Sequence, residues 1–453
     1  MRFFLFEPVI RTVQFEKSQL TIFPKMITTE LHRKNYVNFM LLPLKIVGCW
    51  EWYPNAINKQ IFINYIYVGM VLFVLTNLSL SLIVHLYTEW TDIMSSLDIM
   101  ADGLPLFVSV AIVGYFVIYK KELYELIEFM NVNFKWNSAN GLTNMTMEGS
   151  YKTARNFGYF YTACTIFSVA MYVVLPVVGY CNHPLHPWIY KDIDGDLFIF
   201  IVFLRQCVAQ GFVALAVGQL GVFFACNSIL LCGQLDLLCC SLRNVRYTAL
   251  LKNDISHEAL KVQGYSILED EHHSYVYNYS SMIGSRYHDD VEYHQNRRTH
   301  DDETARAIKE CARVYQIIWK YKNSFENFVS PLLALRVVQV TLYLCTLLYA
   351  ATLKFDMVTV EYLGAVALDM FVYCYFGNQI ILQADRVSTA AYQSAWISMG
   401  VYPRRLILNV LLANKRPIVM RAGRFLPMNL QTFVLIIRTS FSYYTLLVNM
   451  NEK

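Results

Sequence analysis

The sequence predicts an all-α membrane protein: seven transmembrane helices with a cytoplasmic N-terminus and an extracellular C-terminus, plus a cytoplasmic helical anchor bundle. Three observations carry that reading. Of 453 residues, 56% are hydrophobic and only 16% are Asp, Glu, Lys or Arg, against roughly 25% charged residues in soluble domains. Seven apolar windows approach or exceed the roughly 20 residues that a spanning helix needs. Lys and Arg fall almost wholly on one side of those windows.

The windows run at about 61–86, 97–119, 157–180, 197–229, 328–353, 358–382 and 426–448. The second and sixth are the least apolar, because Asp98, Asp102, Glu361 and Asp369 interrupt them. The first residues, MRFFLFEPVIRTVQFEK, meet Glu7 and Pro8 after a short apolar run and have no small-residue cleavage site. The first span is therefore expected to serve as signal anchor.

Positive loops stay cytoplasmic. The segment before span one and the loops after spans two, four and six hold thirty-two Lys and Arg, whereas the other side holds only Lys191, Lys354 and Lys453. The chain then divides into a cytoplasmic segment at 1–60, spans one to four at 61–240, and a cytoplasmic loop with helical extension at 241–322. Spans five and six follow at 323–385, a cytoplasmic helix and turn at 386–425, and the last span with its tail at 426–453.

This threading is the reverse of a G-protein-coupled receptor. The sequence also lacks Asn-Pro-x-x-Tyr near the last span and Asp/Glu-Arg-Tyr after the third. Within the long polar loop, His272, His273, His288, His294 and His300 have no fixed ligand spacing and no nearby cysteine, so they read as a solvated segment and no metal is expected. The stretch ARAIKECARVYQIIWKYKNSF has Ala312, Val314, Tyr315, Ile318, Trp319 and Phe325 at helical period. It predicts a cytoplasmic extension of span five that keeps Arg313, Lys320 and Lys322 in water. PRRLILNVLLANKRPIVMRAGRF reads as a short amphipathic helix, a turn at 414–417, then the last span. Cys239 and Cys240 read as buried apolar thiols in preference to acylation sites.

No nucleophile elbow, zinc-binding HExxH, P-loop or dinucleotide fingerprint is present, so no enzyme and no cofactor are expected. Similarity between the first three spans and the later ones, the mark of many transporters, is also missing. Arg205 and Arg336 lie within spans, and each must face protein or water; Asp369 could pair with either. In the last span, Arg438, Ser442, Thr445, Leu446 and Asn449 fall within about 100° of one another at 3.6 residues per turn, so its polar groups form a stripe. Water on that stripe, or packing against other spans, would explain it.

The runs YCYFGNQIILQADRVSTAAYQSAW (Tyr373 to Trp396) and RPIVMRAGRFLPMNLQTFVLIIRTSFSYYTLL (Arg416 to Leu447) resemble the signature of insect odorant receptors. The resemblance rests on Tyr373, Cys374, Phe376 and Gly377, on Ala391, Tyr392 and Trp396, and on Phe433, Ser440, Ser442, Tyr443 and Thr445. Span count, orientation and the HPLHPW loop before span four agree with it. The Thr-Tyr and Gln-Phe last-span motif of the related gustatory receptors is absent.

This resemblance implies an odorant-gated, non-selective cation channel in the plasma membrane of olfactory sensory neurons. Its partners would be a small volatile ligand, the lipid bilayer, and shared co-receptor subunits in a heterotetramer, with no nucleic acid. The loop after span four is longer than most odorant-tuned members carry, but the C-terminal residues look like those of tuned subunits. By the same resemblance Ser442, Thr445, Leu446 and Asn449 would line the pore, with Leu446 as an apolar ring that closes by dewetting and Asn449 as the polar ring outside it. An apolar volatile needs an aliphatic and aromatic pocket. The outer halves of spans two, three, four and six offer Leu104, Leu106, Phe107, Phe167, Met171, Tyr172, Phe200, Phe203, Leu204, Val358 and Tyr362 for it.

Overall fold

A computed structural model describes residues 36–53, 58–88, 93–138, 145–179, 196–252, 300–353, 357–394 and 396–451. A 3-10 turn, Asn38–Met40, leads into α1 (Leu41–Val47). The first four long or bent helices are α2 (Asn58–Thr88), α3 (Ile93–Ile118), α4 (Lys120–Asn133) and α5 (Glu148–Gly179). After them come α6 (Asp196–Arg243), α7 (Val245–Lys252), α8 (Asp301–Leu353) and α9 (Met357–Tyr392). The chain closes with α10 (Val401–Asn414), a hairpin of β1 (Arg421–Ala422) and β2 (Leu426–Pro427), and α11 (Leu430–Asn451).

The seven expected spans correspond to α2, α3, α5, α6, α8, α9 and α11. Among the described residues, four helices (α2, α6, α8 and α9) are long and apolar enough to cross a bilayer on their own composition, and a fifth passes if α3 and α4 count as one bent span. The bend between α3 and α4 is 68°. It falls where the apolar run ends at Tyr119 and Lys120–Lys121 begin. Pro105 sits inside α3, as membrane helices tolerate when neighbours satisfy the freed backbone.

Burial sorts the helices. The apolar window of α6 is 89% buried and that of α2 only 28%; α6 is therefore the central staff, and α2 a peripheral helix with Phe62, Phe73 and Leu80 facing outward. Around α6 the core is aromatic. Phe223 packs edge-on against Phe116 at 5.8 Å and tilts across Phe328 at 5.9 Å, while Phe224 stacks on Phe325 at 5.7 Å. Such pairs contribute about 0.5–1.5 kcal/mol each beyond area burial.

Three sequence expectations need correction. Helix α4 was unforeseen: Leu123, Leu126, Ile127 and Met130 give it one buried face. The last span starts at Leu430, since 421–427 is taken by the hairpin. Lys322 is not in water; it is 3% exposed and paired with Glu326 one turn on, which lets a lysine occupy a packed face. By contrast the turn expected at 414–417 is present: α10 ends at Asn414, Lys415 N–H donates to Leu412 O at 3.3 Å, and a bend at Arg416 leads into extended chain before β1. Val314, Tyr315, Ile318 and Phe325 are buried while Arg313 and Lys320 are exposed, as the helical period predicts. Cys239 and Cys240 are buried. Of the loop histidines only His300 lies among the described residues.

Gly377 on α9 permits one close approach. A Cβ there would overlap the Met428 carbonyl oxygen and lie 3.0 Å from the Met428 Cβ, so the segment after β2 is seated directly on the α9 backbone. Met428 N–H in turn donates to Met420 O at 2.8 Å. The hairpin is thus clamped from two sides before α11 begins.

Candidate functional site

Midway through the bundle, α5, α6, α8 and α9 meet at a buried polar cluster. Arg336 on α8 forms an ion pair with Asp369 on α9, with 4% and 9% of their side chains exposed, and also donates to Gln339 Oε1. Tyr161 on α5 donates to Asp369 Oδ1 at 2.8 Å. A Cβ at Gly221 would sit 3.5 Å from both Asp369 Oδ1 and Tyr373 Oη, so α6 closes the cluster with a residue that leaves room for it. The alternative left open by the sequence is resolved: Asp369 serves Arg336. Arg205 instead donates to Ser81 Oγ at 3.4 Å, tying α6 to α2. Tyr161 and Gln339 were missed by sequence reasoning, and Tyr373 was marked only through the family resemblance; hydroxyl and amide side chains inside apolar windows are the signal that could have marked them.

Toward the C-terminal ends of α6 and α9, Arg386 on α9 pairs with Asp236 on α6 at 3.0 Å, and its guanidinium also reaches Gln383. Lys135 meets Glu310 at 2.7 Å at the rim of a cavity of about 50 Å³ lined by Gln234, Leu237, Ser241 and Cys311. At 1.5 Å per residue this cavity is about 45 Å along α6 from Phe203 and Leu204, so it is separate from the proposed odorant region.

The last helix has two faces. Ile436 and Ser440 are buried against the bundle, where Ser440 Oγ donates to Thr341 O of α8 at 3.4 Å and Phe433 meets Phe371 of α9 edge-on at 5.5 Å. Arg438, Ser442 and Thr445 are exposed on the other. Ser442 and Thr445 donate to carbonyls of their own helix, Arg438 O at 3.0 Å and Ser442 O at 2.8 Å. Among the described residues, no hydrogen bond or ion pair joins these three side chains to another helix. Leu446 and Asn449 continue the helix, and their side chains lie outside the described residues.

The candidate odorant residues are scattered in burial. Leu106 is buried, and Leu104 packs with Leu363 and Val366 around Tyr343 and Leu347 in a small apolar cluster between α3, α8 and α9. Met171 and Phe203 are half-buried. Phe107, Phe167 and Leu204 are exposed at 45%, 66% and 54%. Tyr172, Phe200, Val358 and Tyr362 lie on α5, α6 and α9, with side chains outside the described residues. Among the described candidates, Leu104 joins this small cluster and Leu106 the main core.

A sequence model of the 7tm odorant receptor family matches residues 105–441. The chain belongs to that family. The receptor is 26% identical to odorant receptor 85e of Drosophila melanogaster, covering 89% of this chain and 88% of the relative. Odorant receptor 83a of the same insect is 24% identical over 72% and 74%. Its fold matches that of the olfactory receptor OR5 of Machilis hrabei with a TM-score of 0.70 at 16% identity, covering 92% of the receptor and 99% of OR5. OR5 in complex with eugenol matches with a TM-score of 0.68 at 14% identity. The receptor is thus a multi-pass membrane protein of an odorant-receptor family and not an enzyme.

Proposed function

We propose that the receptor is the odorant-tuned subunit of a ligand-gated, non-selective cation channel, assembled with shared co-receptor subunits as a heterotetramer in the plasma membrane of olfactory sensory neurons. The observation that carries this reading is the stripe on α11. An arginine and two hydroxyl residues exposed along a membrane helix need water or another chain, and copies of this chain or a co-receptor around an axis would supply both. Leu446 then forms the apolar constriction and Asn449 the outer polar ring. Co-expressed with a co-receptor, Leu446→Ala is expected to raise the unliganded current and Asn449→Asp to shift relative permeability toward divalent cations in whole-cell recordings. Native behaviour from both variants at normal surface density would remove the stripe from the pore.

For the ligand, the reading places a small apolar volatile among the outer halves of α3, α5, α6 and α9; the eugenol held by OR5 supports a ligand of that size. A ligand biases a channel only by its differential affinity for open and closed states. Met171→Ala and Tyr362→Ala should therefore reorder odorant potencies while leaving ion selectivity unchanged. Since one methylene is worth about 1–3 kcal/mol in an apolar pocket, changes of about tenfold or more between homologous odorants are expected. Uniform loss of all responses would assign these residues a structural role instead.

The threading belongs to the same proposal: cytoplasmic N-terminus, cytoplasmic anchor bundle, extracellular C-terminus. Three Asn-x-Ser/Thr sites test it. Asn77 is inside α2, and Asn144 and Asn278, both outside the described residues, fall in loops assigned to the cytoplasm. Glycosidase treatment should leave mobility unchanged, and a shift traced to Asn144 or Asn278 would reverse the orientation.

A further inference from the structure

The hairpin before α11 turns through Gly423 and Arg424, both at positive φ (59° and 68°). They are the first two residues of a three-residue connection between Ala422 and Leu426, closed by Phe425 N–H donating to Ala422 O at 3.3 Å, and glycine or asparagine is the usual choice at such positions. Arg424 is the one non-glycine residue at positive φ among the described residues, and strain of this kind concentrates at functional positions. Its backbone N–H donates to Ser330 Oγ at 2.9 Å, and Gly423 N–H to Ser330 O at 3.0 Å. The turn is therefore fixed to α8. Its side chains are not: Arg424 is exposed with no side-chain partner among the described residues, and Phe425 is 79% exposed.

The level of this turn is set by its neighbours. Ser330 lies one turn past the Lys322–Glu326 pair and at the start of the apolar stretch of α8, and a Cβ on Gly423 would lie 3.3 Å from the Ala334 Cβ. Tyr115 of α3 donates to Phe328 O at 3.0 Å, which puts Ser330 close to the level where α3 ends and Lys120 begins. Lys120 caps the Tyr65 ring at 5.3 Å. Basic and aromatic side chains at one depth mark a membrane–water boundary. A partner for Arg424 and Phe425 must then present negative charge beside hydrocarbon.

We propose that the Gly423–Phe425 turn binds an anionic lipid of the adjacent leaflet, with Phe425 in the acyl boundary and Arg424 on the headgroup. α11 starts only five residues after Phe425, so the contact links membrane charge to the last helix. The test needs no channel activity. Full-length receptor carrying photoreactive benzoylphenylalanine in place of Phe425 is reconstituted into vesicles with equal phosphatidylserine and phosphatidylcholine, illuminated, and its adducts are identified by mass spectrometry. Phosphatidylserine adducts should dominate about fivefold, the preference expected of one basic residue at a charged surface. Arg424→Gln should bring the ratio to about one, and Arg424→Lys should keep it. A ratio near one in the photoreactive receptor with Arg424 intact, an unchanged ratio in Arg424→Gln, or adducts to a second polypeptide would overturn the proposal.

Discussion

Arg336→Leu is expected to abolish surface expression. The substitution leaves Asp369 buried with one hydroxyl partner, Tyr161, and no cation. Breaking a buried pair from one side costs about 3–5 kcal/mol, a large part of the roughly 5–15 kcal/mol that holds a domain folded. The reciprocal Asp369→Leu should fail in the same way. Removing both charges is a different case, because no buried charge is left unpaired and only the neutral Tyr161 hydroxyl and Gln339 amide lose a partner, so Arg336→Leu/Asp369→Leu should recover part of the lost surface protein. Surface biotinylation with fluorescence-detected size exclusion measures all three. Native levels from either single variant would show that the pair is not desolvated.

Gly377→Ala is the second large effect. The added methyl would overlap the Met428 carbonyl, and because backbone is the obstacle, no rotamer change relieves it. Overpacking typically costs about 1–3 kcal/mol, and here the strain acts on the seat of α11. Odorant responses should vanish at reduced but measurable surface density. Gly364→Ala on the same helix meets no atom within 4 Å and should be silent or mildly stabilising, since alanine favours a helix over glycine by about 1 kcal/mol. Equal behaviour of the two variants would contradict the close approach.

These two sites show what the sequence reveals and what it conceals. Apolar windows and the Lys/Arg bias are sums over many residues, so the helical membrane architecture and the seven segments survive any single local error. The extension of α8 was legible for the same reason, through a period sustained over twenty residues. Asp369 was recognisable as a misfit, but whether it served Arg205 or Arg336 depended on helix neighbours that no local pattern encodes. Lys322 misled because a lysine reads as wet unless its partner is known. The hairpin was hidden by length: four paired residues flanked by apolar sequence look like the start of a span. Gly377 stood out in the family signature, yet its reason, a carbonyl from fifty residues later, is visible only in three dimensions. The odorant pocket is the least legible part, since its residues are chemically indistinguishable from lipid-facing and core positions.

The clamped hairpin has a mechanical consequence. Thr432 Oγ1 donates to Pro427 O at 2.6 Å, and Thr432 N–H to Asn429 Oδ1 at 2.9 Å, so the base of α11 is rigidly built in. Past Ser440, no described side chain of α11 bonds another helix of the chain. Among the described residues the helix is a cantilever, fixed at its base and bonded to no other helix beyond Ser440. With 22 residues at 1.5 Å each it is about 33 Å long, and a tilt of about 5° at the base carries the far tip about 3 Å sideways. Small displacements of α8 or α9 would then reach the tip amplified, with the largest travel where Leu446 and Asn449 stand.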